Sequence, residues 1–392
     1  MFTILRHNPI PFLYLKTLTF PSTSRHYYPF LHHYPSPFSL HFCTNTSDSP
    51  SFAVSYLIHN FGLSPLFANK LCSTYRLTFK TAQKPDSVLA FFRNQGFSDS
   101  QLHNMITRTP GLLSCNPSKR VLPKFQFFLS KGASNSDIVD FLSKNPLVLS
   151  ASLDNHIVPT YELVYRFLQS DKDAIACAIH HPKFFGSRLV PCNIRLLIEN
   201  GVSEKTIARI LRNWCRSLYT HNMLKLVEEL KDLGFNPSQS IFGIALLAKT
   251  SVNKTLWKEK VDAFKKWGWS DQDVMEAFRR QPHCMLTSID KINLVMSFWV
   301  NELGWDAMVI AKVPRILGAS LERTIIPRVS VIQYLQKKGL RKKNASLTKP
   351  LIVGSKHFFD RYVNCFKDES SYILKLYKEK LNQAHAKDKA GM

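Results

Sequence analysis

The sequence predicts an all-α protein, an α-solenoid of stacked two-helix units, on three observations. A Gly-x-Ser start, a helix and a closing proline recur in one frame along the chain. From Phe52 onward the apolar residues follow a helical period, and the alternation typical of strands is missing. The closing positions lie 32 to 36 residues apart, which is the period of helical repeat proteins.

The frame is clearest in four segments that run from a glycine to a closing position fourteen residues later. A serine two residues after the glycine predicts a helix N-cap. Ser98 with Gln101 predicts a capping box, and Ser134 with Asp137 a looser version of it. The four segments are Gly96–Pro110, Gly132–Pro146, Gly201–Cys215 and Gly268–Pro282.

Two prolines punctuate each complete unit. The first closes a helix, because proline lacks the N–H and restricts the residue before it. An apolar residue three positions later predicts a short 3₁₀ turn, and a second proline thirteen positions after the first predicts the start of the next helix. The apolar residues are Leu113, Leu149, Phe185 and Leu317, and the second prolines are Pro123, Pro159 and Pro327.

The chain divides into three parts. Residues 1–49 contain no acid before Asp48 and are rich in hydroxyl and aromatic residues, which is typical of an organelle transit peptide; a plain disordered tail is the alternative. Residues 50–381 hold the repeats, and 382–392 form a polar tail. Since no segment approaches eighteen consecutive apolar residues, we expect no membrane partner.

The charge of +24 favours a polyanionic partner, nucleic acid first and an anionic membrane second, with basic solubility alone as the alternative. No P-loop, GxGxxG, HExxH or GxSxG motif occurs, so we expect neither an enzyme nor a cofactor. Cys177, His180, His181 and Cys192 resemble metal ligands, but their spacing fits no ordinary zinc pattern, and we expect no metal. The eight cysteines are predicted to be buried thiols in a reducing compartment.

The LxxxP-type endings at Pro146 and Pro282, the second prolines and the Gly-x-Ser starts resemble the mitochondrial transcription termination factor (mTERF) family, and in particular its plant members. The resemblance covers roughly residues 52–380. It implies about eight or nine repeats of two α-helices and a 3₁₀ turn, a left-handed superhelix, and a basic face that binds nucleic acid. The sequence departs from the pattern at Cys215, at the absent closing proline near position 250, and at Asp171, where a glycine is expected.

Basic residues recur at the closing positions and at the start of the next helix, where stacking would align them into a stripe that contacts phosphates. Compensation of the helix dipole is an equally good reading. Arg341-Lys342-Lys343 is read as a solvated loop, and the tryptophans mostly as core. The candidates at the closing positions are Arg108, Lys144, Lys183, Arg212, Arg216, Arg279, Arg280, Lys312 and Arg315, and those at the next helix are Lys119, Arg120, Lys124, Arg323 and Arg328.

The predicted function is that of a double-stranded DNA-binding regulator of organelle gene expression, in transcription termination or regulation. The expected partner is organellar DNA, contacted by a monomer, in the mitochondrion. Three alternatives stay open: an RNA-binding factor that assists intron splicing, a protein-interaction scaffold, and a location in the chloroplast.

Overall fold

The computed structural model describes residues 51–181, 183–342 and 344–390, and every regular element in those ranges is helical. The predicted all-α repeat fold is therefore confirmed. The transit-peptide prediction for residues 1–49 lies outside the described residues. In chain order the α-helices are α1 (Phe52–Phe61), α2 (Pro65–Tyr75), α3 (Gln83–Asn94), α4 (Asp99–Arg108), α5 (Pro117–Arg120), α6 (Leu122–Ser130), α7 (Asn135–Lys144), α8 (Val158–Leu168), α9 (Asp171–His180), α10 (Leu189–Glu199), α11 (Glu204–Asn213), α12 (Met223–Asp232), α13 (Ser240–Ser251), α14 (Lys254–Lys265), α15 (Asp271–Arg280), α16 (Ile289–Ser297), α17 (Met308–Lys312), α18 (Ile326–Lys337), α19 (Lys349–Ile352), α20 (Ser355–Phe359) and α21 (Ser370–Ala390).

Short 3₁₀ segments follow the closing positions, as the spacing predicts. The predicted apolar residue of each turn, Leu113, Leu149 or Leu317, is fully buried, and so is Phe185, which lies in a hydrogen-bonded turn. Pro182, the closing proline before Phe185, lies outside the described residues. The 3₁₀ segments are Pro110–Ser114, Pro146–Ser150, Cys215–Tyr219, Pro282–Leu286 and Pro314–Gly318.

The helices that end at a closing position, here called the closing helices, stack as neighbours. In the described chain α4 packs on α7, α7 on α9, α9 on α11, α11 on α13, and α15 on α17. The helices before them, the entry helices, form a second row in which α10 contacts α8 and α12, and α14 contacts α16. Packing between neighbours along the sequence is the defining property of a solenoid. The left-handed superhelix stays a prediction.

One continuous core of buried side chains joins the units from Ala53 to Leu351. Trp269 and Trp299 are buried and the other tryptophans of the repeats are half-buried, which confirms their assignment to the core. A smaller cluster under α18, α20 and α21 covers the C-terminal end. Helix α21 continues to Ala390, so residues 382–390 of the predicted polar tail are helical.

The serine caps behave as the sequence predicts and are stronger than expected. Ser98 and Gln101 form the capping box, and Ser134 with Asp137 and Ser270 with Asp273 form equally complete boxes rather than looser versions. At Gly132 the backbone φ is 84°, which favours glycine, at the end of α6. Near Asp171, where the family pattern places a glycine, the residue with left-handed backbone is Gln169, with φ 51°.

The second prolines Pro159 and Pro327 lie in the first turns of α8 and α18, as predicted, but the helical backbone begins several residues earlier. Val158 and Ile326 start α8 and α18, each with proline in its first turn. A π-helical turn precedes each helix, at Leu153–Ile157 and Leu321–Ile325. Ser152 and Ser320 cap these turns, seven residues before the prolines. The sequence analysis missed both serines.

The closing proline that is absent near position 250 is accompanied by a change in the fold. Helix α13 ends at Ser251 and α14 starts at Lys254 without an intervening 3₁₀ turn, so α13 packs directly on the Pro282–Leu286 turn. Gly243 allows α13 to approach α11, because a Cβ atom there would lie 2.6 Å from Thr206 Cγ2. The small residue thus shortens the distance between two closing helices.

The cysteines are free thiols in the described chain. Cys72, Cys115, Cys177, Cys215 and Cys284 are buried, as predicted. The prediction was wrong for Cys192 and Cys365, which are exposed, and Cys43 lies outside the described residues.

Candidate nucleic-acid interface

The C-terminal ends of the closing helices and the turns that follow them form a row that we call the closing edge. Arg108 Nη1 donates to the Lys144 carbonyl across 3.0 Å, which joins the first two members. Thr250 Oγ1 lies 3.0 Å from Ser217 Oγ, and the 3₁₀ turns at Pro282 and Pro314 pack on each other. The closing edge comprises residues 108–114, 144–150, 180–186, 212–219, 279–286 and 312–318.

No Asp or Glu occurs in these six segments, whereas they carry nine Lys or Arg and three His. The nine cations are the candidates that the sequence analysis placed at the closing positions. Because the closing helices pack on one another, these cations recur at the same end of successive units. Since each segment lies at a helix C-terminus, dipole compensation explains part of this charge.

Five candidate cations are exposed and have neither an ion-pair partner nor a side-chain hydrogen bond within the described residues. Four belong to the closing edge, and the fifth, Lys119, lies in the short helix that follows the first closing turn. These side chains are available to phosphates. They are Lys119, Lys183, Arg216, Lys312 and Arg315.

Four other candidates are exposed but paired. Lys144 Nζ lies 2.6 Å from Asp140, and Arg212 Nε lies 3.0 Å from Asp173. Arg279 and Arg280 share Glu276 at 3.2 Å each, which leaves one net positive charge there. Because exposed ion pairs contribute only about 0–1 kcal/mol, a phosphate can compete for these cations.

The remaining candidates serve the fold to different degrees. Arg328 and Lys124 are buried, and burial lowers the pKa of both groups. Arg328 donates to the carbonyls of Pro350, Leu351 and Val353, and Lys124 Nζ donates to Arg120 O at 2.6 Å. The prediction of an exposed phosphate contact is wrong for these two residues. Arg323 is exposed and already engaged with the surrounding structure.

Arg328 belongs to a recurrent feature that the sequence analysis missed. An entry helix sends a polar side chain to the carbonyls at the end of its own unit, where the closing turn leaves them without helical partners. Arg120 Nε reaches Leu149 O at 3.2 Å, and Asn193 Nδ2 reaches Leu218 O at 2.9 Å. Lys260 and Lys291 make the same kind of bond to Thr287 and Gly318. These side chains hold each turn in place, and with it the exposed cations beside it.

Two clefts open on the closing edge. A cleft of about 590 Å³ is lined by His180, His181, Lys183 and Arg216 and by Tyr219, whose buried hydroxyl has no hydrogen-bond partner among the described residues. Burial, with Arg216 and His180 nearby, lowers the pKa of His181. A second cleft, of about 580 Å³, is lined by His283 and Arg315 among others, and burial with Arg209 nearby lowers the pKa of His283. Both clefts thus combine a fixed cation with an imidazole.

The loop after α18 is only partly solvated. Arg341 is half-buried and donates to Ser346 O at 2.6 Å, while Lys342 is exposed and Lys343 lies outside the described residues. Cys177, His180, His181 and Cys192 are the residues that resemble metal ligands in the sequence. The described residues contain no group of three or more His, Cys, Asp or Glu placed to hold a metal ion. In the same part of the chain, no helix has the length and apolarity needed to cross a membrane.

The fold and this edge define a class: a basic α-helical repeat protein with one cation-rich, acid-free border. The family model of mTERF matches residues 89–247 and 244–359, together more than two thirds of the chain. The chain belongs to the mTERF family. Over 106 residues it is 31% identical to the Arabidopsis thaliana protein "Transcription termination factor MTERF15, mitochondrial". That alignment spans 27% of this chain and 24% of the relative.

Proposed function

We propose that this protein binds double-stranded nucleic acid, with duplex DNA as the preferred form, and regulates organelle transcription, including its termination. The observation that carries the proposal is the closing edge, where nine cations and no acid line up along six units. Membership of the mTERF family supports the same conclusion. A scaffold for proteins would not require acids to be excluded from one edge of every unit.

The spacing of the units suits a nucleic-acid backbone. Packed helices lie about 8–10 Å apart, so each closing segment corresponds to about three phosphates of one strand, which rise ~3.4 Å each along the duplex axis. Helix α13 lies between the fourth and fifth closing segments, so the row has six intervals from its first segment to its last and extends about 55 Å, or about sixteen base pairs by the same rise. A rigid row of this length fits a stiff duplex better than a flexible single strand.

The contacts available are of the kind that position a nucleic acid. Lysine and arginine side chains at helix ends bind phosphate oxygens without reading bases. The protein is therefore expected to bind many sequences through this edge as a monomer, with the two clefts as the places where deeper contacts form.

We place the protein in the mitochondrion. The Arabidopsis thaliana relative is named as a mitochondrial protein. The first 49 residues support import into an organelle, since they contain one acid against Arg6, Lys16 and Arg25. Imaging of the full chain fused to a fluorescent protein tests this, and a chloroplast signal would overturn it.

The binding proposal is tested by titrating the full chain into a labelled duplex of about twenty base pairs at 50 and 200 mM salt. Five phosphate contacts from the unpaired cations predict a salt slope near −4.5, hence roughly 500-fold weaker binding at the higher salt. Equal affinity at both salts would contradict the proposal. Competition with single-stranded RNA of the same length decides the alternative, since preferential displacement by RNA would favour a role in splicing.

A further inference from the structure

Two thiols face each other where the closing helix α9 meets the next closing turn. Cys177 lies in the last turn of α9, and Cys215 opens the 3₁₀ turn after α11. The Leu211 carbonyl oxygen lies 3.3 Å from Cys177 Sγ and 2.9 Å from Cys215 Sγ, so one acceptor holds both thiols. The pair therefore bridges two units of the repeat.

Both cysteines depart from what the repeat holds elsewhere. Cys215 occupies a closing position, where the corresponding residues in other units are Pro146 and Pro314. Cys177 lies five residues before the closing position, where another unit has Met105. A methionine or alanine opposite a proline cannot be crosslinked by oxidation. Where α9 meets the Cys215–Tyr219 turn, both facing positions hold a thiol, so the two cysteines can form a disulfide with each other.

We propose that Cys177 and Cys215 form a modification site, a dithiol that a low-molecular-weight disulfide of the glutathione class converts into an inter-unit disulfide. The proposal goes beyond nucleic-acid binding and does not depend on it. Disulfide formation ties α9 to the closing turn that carries Arg216.

The two thiols have different access to a reagent. Cys177 lines a cleft of about 210 Å³ together with His180, His181 and Arg212, whereas Cys215 is fully buried. The neighbouring Cys215 thiol lowers the pKa of Cys177, and the thiolate is the nucleophile in exchange reactions. Cys177 is therefore the attacking thiol and Cys215 the resolving one.

The disulfide forms in two successive thiol–disulfide exchange reactions. The Cys177 thiolate attacks one sulfur of the glutathione disulfide; a mixed disulfide forms, the glutathione S–S bond breaks, and one glutathione leaves as a thiolate that takes up the proton lost by Cys177. The Cys215 thiolate then attacks Cys177 Sγ, and the second glutathione leaves with the proton from Cys215. Two electrons pass from the protein to the reagent, which is reduced to two thiols.

The test uses the full chain with Cys43, Cys192 and Cys365 replaced by serine, so that only buried thiols remain. The reduced protein is exposed to glutathione disulfide, denatured, treated with N-ethylmaleimide and mapped by mass spectrometry. We expect a peptide that links Cys177 to Cys215, while the matched buried thiols Cys72, Cys115 and Cys284 are alkylated. Full alkylation of all five would overturn the proposal.

Single variants test the order of the two steps. With Cys215→Ser, Cys177 should retain one glutathione; with Cys177→Ser, Cys215 should remain a free thiol. Glutathione on Cys215 in the second variant, or none on Cys177 in the first, would contradict the assignment. Cys177→Met and Cys215→Pro, which introduce the residues of equivalent positions, repeat the test if a serine variant fails to fold by circular dichroism.

A further readout rests on the proposed function. Duplex DNA at a free concentration of about twice its Kd should cover the cleft beside Arg212 and slow the oxidation about threefold, because only the unbound third of the protein reacts. Oxidation at an unchanged rate would count against the nucleic-acid interface and leave the dithiol in place. Failure of the disulfide to form without DNA would count against the dithiol alone.

Discussion

The two ends of the same closing helices use charge in different ways. At their N-terminal ends, here called the cap edge, the first turns of α4, α7, α9, α11 and α15 contain seven Asp or Glu and two Lys. Several of these acids pair with the entry helix before them, as Arg93 does with Asp99 at 2.9 Å and Lys265 with Asp271 at 2.6 Å. At the opposite ends, the closing edge has nine cations and no acid.

The helix dipole alone predicts acids at one end and bases at the other. It does not predict that most acids of one edge are engaged in ion pairs or helix caps while the other edge leaves four cations without a partner in the described chain. Most acids of the cap edge are therefore already engaged within the fold, including Asp173 with Arg212 of the closing edge, whereas four cations of the closing edge stay available to an external anion.

The buried cation of the closing region should matter to stability rather than to binding. Arg328→Met removes the donor to the carbonyls of Pro350, Leu351 and Val353. We expect a loss of about 3 kcal/mol in the free energy of unfolding, because buried acceptors are left without partners. Urea denaturation measures it, with Lys337→Met at an exposed position of the same helix expected to change stability by less than about 0.5 kcal/mol. Equal effects of the two variants would show that the hydrogen bonds of Arg328 do not hold the turn.

Charge reversal at the closing edge should weaken binding strongly. Lys312→Glu with Arg315→Glu replaces two unpartnered cations by anions beside the second cleft. At about 0.1 M salt we expect duplex DNA to bind roughly 30-fold more weakly, since two phosphate contacts become repulsive. The matched control is Lys172→Glu with Lys205→Glu, which makes the same charge change at two exposed lysines of the cap edge. A similar loss in both variants would mean that net charge, and not the edge, determines affinity.

A substitution at the cap edge should lower stability and leave the affinity for DNA unchanged. Ser134→Ala removes the side chain that accepts from Asp137 N at 3.1 Å and so breaks the capping box of α7. We expect about 1 kcal/mol of lost stability and unchanged affinity for DNA. Thermal unfolding and anisotropy on the same sample measure both. A marked loss of affinity in a folded sample would place the cap edge in the interface.

The histidines of the two clefts should give binding a modest pH dependence. Burial and neighbouring cations hold the pKa of His181 and His283 below the ordinary value, so both are mainly neutral at pH 7 in the free protein. A phosphate stabilises their protonated forms, so affinity should rise about threefold between pH 7.5 and 6.0. In the absence of DNA the sign is reversed: with folded pKa values below the unfolded ones, stability falls as the pH drops below about 6.5.

His181→Gln with His283→Gln should make DNA affinity independent of pH in this range. A pH dependence that persists in this variant would assign it to other groups. Anisotropy titrations in buffers of equal ionic strength separate this effect from salt.

The turns and helix caps of the repeat could be predicted from the sequence because they depend on local chemistry. Proline, glycine and serine act on their own backbone, so Pro110, Gly132 and Ser98 predicted the turns and caps correctly. The caps at Ser152 and Ser320 were missed because the proline seven residues later was taken as the start of the helix.

The roles of the basic residues were harder to predict because they depend on distant partners. Arg328 and Lys312 look alike in the sequence, yet one is buried and the other exposed. The acceptors of Arg328 lie more than twenty residues away and become neighbours only through the fold. The contact between Cys177 and Cys215 was missed for the same reason, although the absence of proline at position 215 was a visible signal.

The most direct test of the central claim is the salt slope of DNA binding, compared between neutral variants of the two edges. For the unaltered protein we expect a slope near −4.5, and for Lys312→Gln with Arg315→Gln one shallower by about 1.8. Lys172→Gln with Lys205→Gln should leave the slope unchanged. Equal slopes for all three proteins would contradict the assignment of phosphate contacts to the closing edge.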